Sequence, residues 1–261
     1  MDGGVAGMSA GLLGLRDKRA LVTGGSRGVG RATALLLARA GADVGVGYRN
    51  RSRDAGETVA AIRALGRRGW CEPGDLSRAE DAARLFERAR EEFGGIDLVV
   101  ANAGVWPAQK VGIGDMPERR WRSTVQANLT SVFHTVRLAA GSVADGGRVV
   151  VVSSTAGQRG EPFHADYATA KGAVISLVKS VAVELAPRGV TVNAVAPGWT
   201  DTEMVEEALA GRRAEVEQTI PLGRVAPADD VAGPILFLCS ALARHVTGEV
   251  LNVNGGSVLC G

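Results

Sequence analysis

Short apolar runs alternate with longer amphipathic stretches from residue 19 to the end of the chain. The short runs are rich in valine, and RVVVVSS is almost continuously apolar, as expected of strands that helices cover on both faces. The predicted strands are Ala20–Thr23, Asp43–Tyr48, Gly69–Glu72, Asp97–Ala101, Arg148–Ser153, Thr191–Ala196 and Val250–Asn252. The predicted helices are Val29–Ala40, Arg53–Leu65, Ala79–Phe93, Arg119–Ala140, Tyr167–Ala186 and Ala228–Leu242. This alternation predicts an α/β fold with a doubly wound, seven-stranded parallel sheet and helices on both faces.

Composition and charge narrow the function classes. The chain has 261 residues and a hydrophobic content of 46%, which fits one globular domain. Its net charge of +2 and its aromatic content of 4% argue against a nucleic-acid partner. No apolar run is long enough for a membrane span. The three scattered cysteines predict neither a disulfide framework nor a metal site, so we expect a cytoplasmic protein.

The chain shows one boundary, close to its beginning. Residues 1–16, MDGGVAGMSAGLLGLR, are dominated by glycine and alanine and lack the basic segment that opens a signal peptide. They are predicted to form a flexible N-terminal extension. Residues 17–261 contain no internal repeat and no low-complexity linker, so they are predicted to form a single domain.

A glycine-rich segment, TGGSRGVG, joins the first predicted strand to the first predicted helix. Here Gly24 permits a tight turn, Gly28 lets the backbone approach a pyrophosphate, and Gly30 lets the helix pack closely on the strand. An open parallel sheet binds its ligand at the carboxyl ends of its strands, where this segment lies. The segment therefore predicts that residues 17–261 form a Rossmann-type domain that binds a dinucleotide.

Two polar residues four positions apart, Tyr167 and Lys171, lie on the fifth predicted helix. Residues at this spacing share a helix face, and a neighbouring ammonium favours the phenolate form of tyrosine, so the pair is suited to proton transfer. Ser154 follows the valine-rich strand, where its hydroxyl can bind a substrate carbonyl oxygen. Asn128 lies inside the fourth predicted helix. It could hold a water molecule that links Lys171 to solvent, or it could be a satisfied polar residue of the interior.

The glycine spacing G-x-x-x-G-x-G after a threonine, followed in order by Asn128, Ser154, Tyr167 and Lys171, resembles the short-chain dehydrogenase/reductase family. The resemblance continues through the segments GDLS, ANAG, NAVAPGWTDT and VTGEVLNVNGG, from about residue 15 to residue 258. It implies reversible hydride transfer between nicotinamide C4 and a carbonyl carbon. Tyr167 would donate the proton, Ser154 would orient the oxygen, and Lys171 would lower the pKa of the tyrosine and bind the nicotinamide ribose.

The same resemblance implies cofactor contacts at the ends of the strands. Asp75 would contact the adenine, the ANAG segment would line the adenine ribose, and residues after the sixth strand would hold the nicotinamide carboxamide. The implied cofactor-binding residues are Gly24, Ser26, Arg27, Gly28, Val29, Gly30, Tyr48, Arg49, Asn50, Asp75, Leu76, Asn102, Ala103, Gly104, Tyr167, Lys171, Pro197, Gly198, Thr200 and Thr202.

The end of the second predicted strand favours NADPH over NADH as the cofactor. A site for NAD usually places a carboxylate there for the ribose 2′-hydroxyl, whereas a nearby arginine accommodates a 2′-phosphate. Here the strand tip carries Tyr48, Arg49, Asn50 and Arg51 and no carboxylate. Arg27, in the glycine-rich segment, adds a second positive charge on the same side.

The segments GGSRGVGRA, VVANAG and GVTVNAVAPG most resemble the corresponding segments of 3-oxoacyl-(acyl-carrier-protein) reductases. An enzyme of that kind is therefore the leading expectation. Those reductases dock an acidic carrier protein on basic residues. Arg188 stands at one of the expected positions, whereas Asp145 has the opposite charge at the other.

A second stretch, SSTAGQRGEPFHADYATAK, resembles naphthol and polyketide ketoreductases. Trp106, His164 and Trp199 are therefore candidates for a substrate pocket around Ser154, although the tryptophans could equally serve in packing. A reductase of sugars or of other small ketones stays open.

Other classes predict other sequences. A dinucleotide-sensing module without chemistry typically lacks the tyrosine or the lysine, and an epimerase or dehydratase of the extended relatives needs a longer chain. We also expect a homo-oligomer, most simply a homotetramer, in which the helices Arg119–Ala140 and Tyr167–Ala186 pair across a two-fold axis. The expected partners are thus a small or carrier-bound ketone and further copies of the chain.

Overall fold

The computed structural model describes residues 11–260. Its strands are β1 (Arg19–Thr23), β2 (Asp43–Tyr48), β3 (Gly69–Pro73), β4 (Ile96–Ala101), β5 (Val143–Val152), β6 (Thr191–Pro197), β7 (Thr200–Asp201), β8 (Ala226–Pro227) and β9 (Val250–Val253). Seven of them form one parallel sheet in the order β3-β2-β1-β4-β5-β6-β9. The short strands β7 and β8 pair separately.

Helices fill the connections between the strands. They are α1 (Gly28–Arg39), α2 (Ser52–Ala64), α3 (Ala79–Phe93), α4 (Glu118–Val125), α5 (Ser131–Ser142), α6 (Thr155–Arg159), α7 (Ala165–Leu185), α8 (Glu206–Leu209), α9 (Arg213–Gln218) and α10 (Ala228–Cys239). A π-helical segment, Gln126–Thr130, joins α4 to α5, so the long predicted helix is continuous but locally widened. The predicted fold class, a doubly wound Rossmann-type α/β domain, is confirmed.

The two faces of the sheet pack against different helices because successive strand residues point to opposite sides. Leu21 and Val99 pack in a cluster with residues of α3, α5 and α7. Val22 and Val100, one residue further along each strand, pack with residues of α1, α2 and α10. Both faces are therefore buried, and the carboxyl edge of the sheet is where the structure has room for a ligand.

The first described residues are part of the domain. Leu15 is 1% exposed and belongs to the cluster around α1 and α10, and Leu13 packs against the same cluster. The predicted boundary at residue 17 is therefore too late, because Leu15 is buried and Leu13 is partly buried in the core, whereas Leu12 is 64% exposed. Residues 1–10, the rest of the predicted extension, lie outside the described residues.

Residues 198–227, between β6 and α10, leave the sheet and form a cover segment beside its carboxyl edge. The segment contains β7, α8, α9 and β8, which the sequence patterns did not predict. It has a small apolar cluster of its own, made of Leu209, Val216, Ile220 and Val225. Among residues 11–260, no helix is both long enough and apolar enough to cross a bilayer.

Candidate active site

A cleft of about 340 Å³ lies at the carboxyl ends of the central strands, next to the cover segment. The sheet order reverses its direction between β1 and β4, and such a switch point is where open α/β sheets bind ligands. The volume is typical of a ligand-binding cleft. Every predicted site residue lines this cleft except His164.

The glycine-rich segment forms a cradle that a larger side chain would fill. A Cβ at Gly30 would overlap the carbonyl oxygen of Gly24 and lie 2.5 Å from Nδ2 of Asn102. Gly28 has a φ of +52°, a conformation that residues with a side chain rarely adopt. The Arg27 side chain stands at the N-cap position but does not cap α1. The first N–H groups of α1 therefore face the cleft free for an anion, which fits a pyrophosphate.

Asn102 fastens this cradle to the neighbouring strand. Its Nδ2 donates hydrogen bonds to the carbonyl oxygens of Thr23 and Gly24, at 3.0 and 3.2 Å. The Thr23 hydroxyl in turn accepts from the backbone N–H groups of Asn102 and Ala103, both at 3.0 Å. The ends of β1 and β4 are thereby held together at the switch point.

Lys171 is built into the floor of the cleft. Its ammonium donates a hydrogen bond of 2.8 Å to the carbonyl oxygen of Val152, at the end of β5. One residue later, the Ser153 hydroxyl donates to the carbonyl oxygen of Lys171, also at 2.8 Å. These two bonds fix α7 on β5. Burial lowers the pKa of Lys171 to about 8, because a charged ammonium is poorly solvated there.

Tyr167 is buried beside Lys171, and its pKa moves in the direction opposite to the prediction. Burial raises the pKa of Tyr167 to about 12; hydrogen bonding with Ser154 lowers it, and the Glu161 carboxylate raises it. The expectation that Lys171 lowers this pKa is wrong for the groups of the chain itself, because the Lys171 ammonium lies 5.8 Å from the ring centre and is bonded to Val152. Tyr167 therefore keeps its proton at neutral pH.

Ser154 stands where β5 gives way to α6. It is the N-cap residue of α6, with an extended backbone, and its hydroxyl oxygen accepts a hydrogen bond of 3.2 Å from the N–H of Ala156. Such a cap fixes the side chain in one orientation. The hydroxyl thus has a defined position in the cleft, next to the phenol of Tyr167.

Asn128 lies in the π-helical segment, a widening that often occurs at functional sites. It is fully buried. Its Oδ1 accepts a hydrogen bond from the N–H of Val105, and its Nδ2 donates to the carbonyl oxygen of Thr124, both at 3.0 Å. The side-chain amide thus joins the loop after β4 to the helix, as a satisfied polar residue would. A water relay through Asn128 stays a prediction.

Charged residues gather at the other end of the cleft, at the tip of β2. Glu203 of the cover segment places Oε2 2.6 Å from Nη1 of Arg27 and 3.2 Å from Nη2 of Arg51. Arg49 lies 3.8 Å from the carboxylate of Asp75. The strand tip has no carboxylate of its own in the sequence, but Asp54 of α2 lies 3.6 Å from Nη1 of Arg51, and the fold brings Asp75 and Glu203 from more distant elements.

Aromatic rings form the wall beside Tyr167. Trp106 meets the Tyr167 ring edge-on, with centroids 4.8 Å apart, and the Trp199 ring at 6.2 Å. His164 stacks on Trp106 at 4.2 Å but is only 3% exposed and does not line the cleft. The prediction that His164 lines the substrate pocket is therefore corrected: as N-cap residue of α7 it turns inward and supports Trp106 from behind.

The sequence patterns do not predict several residues that line the cleft. Arg159 and Glu161 form an ion pair of 3.2 Å at the rim near Tyr167, and Glu203 and Met204 approach from the cover segment. Arg159 and Glu161 lie in the stretch that resembles polyketide ketoreductases, so their position before Tyr167 is a signal that could have found them. Nothing local in the sequence points to Glu203.

The two residues considered for carrier docking bind each other. Arg188 donates from Nε to the Asp145 carboxylate at 2.8 Å and from Nη1 to the carbonyl oxygen of Ala140 at 2.6 Å. Asp145 lies in the first residues of β5, so the pair is at the opposite end of that strand from Ser154. Arg188 is thus paired with Asp145, and it does not line this chain's own cleft.

Known proteins are similar to this sequence over nearly its whole length. A family profile described as enoyl-(acyl carrier protein) reductase matches residues 24–257. A 3-oxoacyl-(acyl-carrier-protein) reductase from Synechocystis is 39% identical over 243 residues, which cover 92% of this chain and 96% of the relative. An L-rhamnose 1-dehydrogenase (NAD(P)(+)) from Sphingomonas is 38% identical, with 93% and 96% of the two chains covered.

Solved structures agree with these relatives. The promiscuous reductase LugOII, which catalyses keto-reduction at C1 during lugdunomycin biosynthesis, superposes with a TM-score of 0.88 at 35% identity and covers 94% of this chain and 99% of its own. A short-chain dehydrogenase from Burkholderia cenocepacia in complex with NADP gives a TM-score of 0.87 at 35% identity, with 93% and 98% covered. The chain therefore belongs to the short-chain dehydrogenase/reductase family, whose enzymes use NAD(P) cofactors and act on CH–OH and C=O groups.

Proposed function

We propose that the protein is an NADPH-dependent carbonyl reductase in which Tyr167 donates the proton to the substrate oxygen. The observation that carries this proposal is the position of Tyr167: it lies in one cleft with Ser154 and Lys171, between the glycine cradle and the aromatic wall. Its raised pKa keeps the phenol protonated at neutral pH, which is the form that a reduction requires.

Different residues along the cleft bind different parts of the cofactor and the substrate. The glycine cradle and the N-terminus of α1 bind the pyrophosphate, and Arg27 with the arginines at the tip of β2 binds a 2′-phosphate. When bound, the cofactor supplies the hydride for the carbonyl carbon. Ser154 orients the carbonyl oxygen toward the phenol of Tyr167, Lys171 binds the nicotinamide ribose, and Asn128 holds the water that links Lys171 to solvent.

A 3-oxoacyl thioester is the first candidate substrate. It is favoured by relatives from Synechocystis and Staphylococcus aureus, both named 3-oxoacyl-(acyl-carrier-protein) reductases, at 39% and 35% identity. Because Arg188 is paired with Asp145, we propose that the carrier protein is not needed for turnover and that the thioester itself is recognised.

A fused-ring ketone is the second candidate, and a specific observation favours it. Trp106 and Trp199 present aromatic surface next to Tyr167, and aromatic rings bind flat rings by stacking and edge contacts. LugOII, a promiscuous reductase that catalyses keto-reduction at C1 during lugdunomycin biosynthesis, shares the fold at 35% identity. A sugar is the third candidate substrate, because the L-rhamnose 1-dehydrogenase is 38% identical to this chain.

The proposal extends to the oligomeric state of the protein and to the compartment in which it acts. We propose a cytoplasmic homotetramer in which α5 and α7 pair with the same helices of a second copy. Two exposed apolar side chains on these helices support the pairing: Val183 on α7 is 76% exposed and Phe133 on α5 is 45% exposed. Light scattering of the purified protein measures the number of copies directly.

Steady-state kinetics with both cofactors tests the proposal. We expect kcat/KM for NADPH to exceed that for NADH by roughly 10- to 150-fold, which corresponds to a charge-assisted phosphate contact. Arg49→Asp should weaken NADPH far more than NADH. The substrate panel comprises an acetoacetyl thioester, a bicyclic aromatic ketone and a sugar lactone or ketose. Equal kcat/KM for the two cofactors would contradict the NADPH assignment, and no turnover of any ketone would contradict the reductase.

A further inference from the structure

One carboxylate binds two of the arginines that are proposed to hold the cofactor's 2′-phosphate. Glu203 binds Arg27 and Arg51 at once through the same oxygen, at 2.6 and 3.2 Å. The two guanidinium groups come from different elements, the glycine-rich segment and the tip of β2, and Glu203 comes from a third, the cover segment. The carboxylate therefore marks a point at which two cations converge on one anion.

This anion is held by contacts that a ligand can exchange. The three side chains are between 39% and 53% exposed, and ion pairs in such solvated positions contribute little to stability. A phosphate has a larger charge and more acceptor oxygens than a carboxylate, so it forms stronger and bidentate contacts with guanidinium groups. A 2′-phosphate can thus displace Glu203, whereas a ribose hydroxyl cannot.

The backbone keeps Glu203 close to the competing ligand. The preceding residue, Thr202, lies against the glycine cradle, where a Cβ at Gly28 would be 3.2 Å from its methyl group. Both residues line the cleft. The carboxylate is therefore presented at the cradle itself rather than on a distant loop, and its effective concentration at the arginines is high.

We propose that Glu203 is a specificity-determining residue, which competes with the 2′-phosphate of the cofactor for Arg27 and Arg51. The inference rests on the proposed use of NADPH. NADP⁺ must break the two Glu203 ion pairs to reach the arginines, whereas NAD⁺ leaves them in place. Glu203 thus reduces the preference for NADP⁺ that the arginines alone would give.

Calorimetric titration of NADP⁺, NAD⁺, 2′,5′-ADP and 5′-AMP into the wild type and Glu203→Gln tests this competition without turnover. At low salt, where screening is weak, we expect Glu203→Gln to bind NADP⁺ and 2′,5′-ADP about 3- to 10-fold more tightly. Binding of NAD⁺ and 5′-AMP should stay within about twofold. Glu206→Gln, which removes the same charge from the first turn of α8, is the matched control and should change none of the four constants by more than about twofold.

A double-mutant cycle adds a second measurement. In the Arg51→Ala background the gain from Glu203→Gln should shrink, because one of the two contested cations is gone. An unchanged or weaker affinity of Glu203→Gln for 2′,5′-ADP would overturn the proposal, as would an equal gain for NAD⁺. Failure of the proposed function looks different: the wild type would then bind NADP⁺ and NAD⁺ equally, whatever the effect of Glu203→Gln.

Discussion

The carboxylate of Asp166 lies 3.0 Å from Nε of Arg120, one residue before the tyrosine of the site. Asp166 is fully buried, and the same oxygen accepts a hydrogen bond of 2.8 Å from the Thr124 hydroxyl. Arg120 also donates to the carbonyl oxygen of Gln109, at 2.6 Å. This ion pair therefore joins α4 and the loop after β4 to the first turn of α7, the turn that contains Tyr167.

Breaking this pair from one side should destabilise the protein. Arg120→Met leaves the buried carboxylate without its cation, and we expect the free energy of unfolding to fall by about 3–5 kcal/mol. Burial raises the pKa of Asp166, but hydrogen bonds from Arg120, Thr124 and the Tyr167 backbone outweigh burial and hold this pKa below the ordinary value of an aspartate. The wild type therefore loses this stabilisation as the pH falls from that ordinary value through the lowered pKa. Denaturant titrations at pH 7 and pH 3 measure both effects. Asp166→Asn, which keeps the shape, should reduce the dependence on pH, and a dependence equal to that of the wild type would contradict this role.

Tyr167→Phe should abolish turnover and preserve cofactor binding. The variant loses the proposed proton donor but keeps the ring that packs against Trp106 and Ala156. We expect kcat to fall by roughly 10²- to 10⁴-fold with a Kd for the cofactor within about twofold of the wild type. Single-turnover kinetics and fluorescence titration measure the two quantities. A variant that keeps a tenth of the wild-type kcat would show that another group supplies the proton.

Lys171→Met should be inactive, and its stability relative to the wild type should be highest at neutral pH. The pKa of Lys171 falls from 10.5 to about 8 on folding, a cost of roughly 3 kcal/mol for the charged form below pH 8. Unfolded chains bind more protons between pH 8 and 10.5, so the wild type gains stability as the pH rises through that window, and the relative stability of the variant falls. Thermal unfolding at pH 7, 9 and 10.5 measures this difference. Lys179→Met, at an exposed position of the same helix, is the control and should show no such trend.

Trp106→Ala should separate the candidate substrates. Loss of the ring removes the aromatic surface beside Tyr167, so kcat/KM for a bicyclic ketone should fall about tenfold or more, the size expected for losing an aromatic contact with its buried area. The value for an acetoacetyl thioester should change less than about threefold. Because Trp106 also touches Tyr167, Trp106→Phe is the control for positioning and should retain both activities. Equal losses for both substrates in Trp106→Ala would contradict a role in selectivity.

Val183→Asp should dissociate the oligomer. A charge at this exposed apolar position of α7 would be desolvated in an interface between copies, which is costly. We expect light scattering to return about 27 kDa, the mass of one chain, for the variant and a multiple of it for the wild type. Val183→Ala should stay assembled. A wild type of one chain mass at micromolar concentration would rule out the oligomer, and an assembled Val183→Asp would place its interface elsewhere.

The sequence patterns predict the sheet well because each predicted strand contains a short apolar run with a turn after it. The beginning of β5 is the exception: the strand starts at Val143, before the residues ADGG, whose composition is typical of turns. The residues after the strands were also predictable, because a parallel sheet brings its carboxyl ends to one edge. Contacts between distant segments were not. Arg27 and Glu203 are 176 positions apart, and the raised pKa of Tyr167 depends on burial that no single segment specifies.

The cover segment packs mainly on itself, whereas the other connections pack on the sheet. Its side chains Leu209, Val216, Ile220 and Val225 pack on one another, whereas the helices beside the sheet bury their apolar faces on its strands. Insertions and exchanges within residues 198–227 can therefore accumulate without disturbing the central core. The glycine cradle and Tyr167 lie outside this segment, so the side of the cleft formed by Trp199 and Glu203 can change while those groups keep their positions. Relatives named as a 3-oxoacyl-(acyl-carrier-protein) reductase and an L-rhamnose 1-dehydrogenase are 39% and 38% identical to this chain, and a cover segment with its own apolar cluster offers one way for a single sheet to serve different substrates.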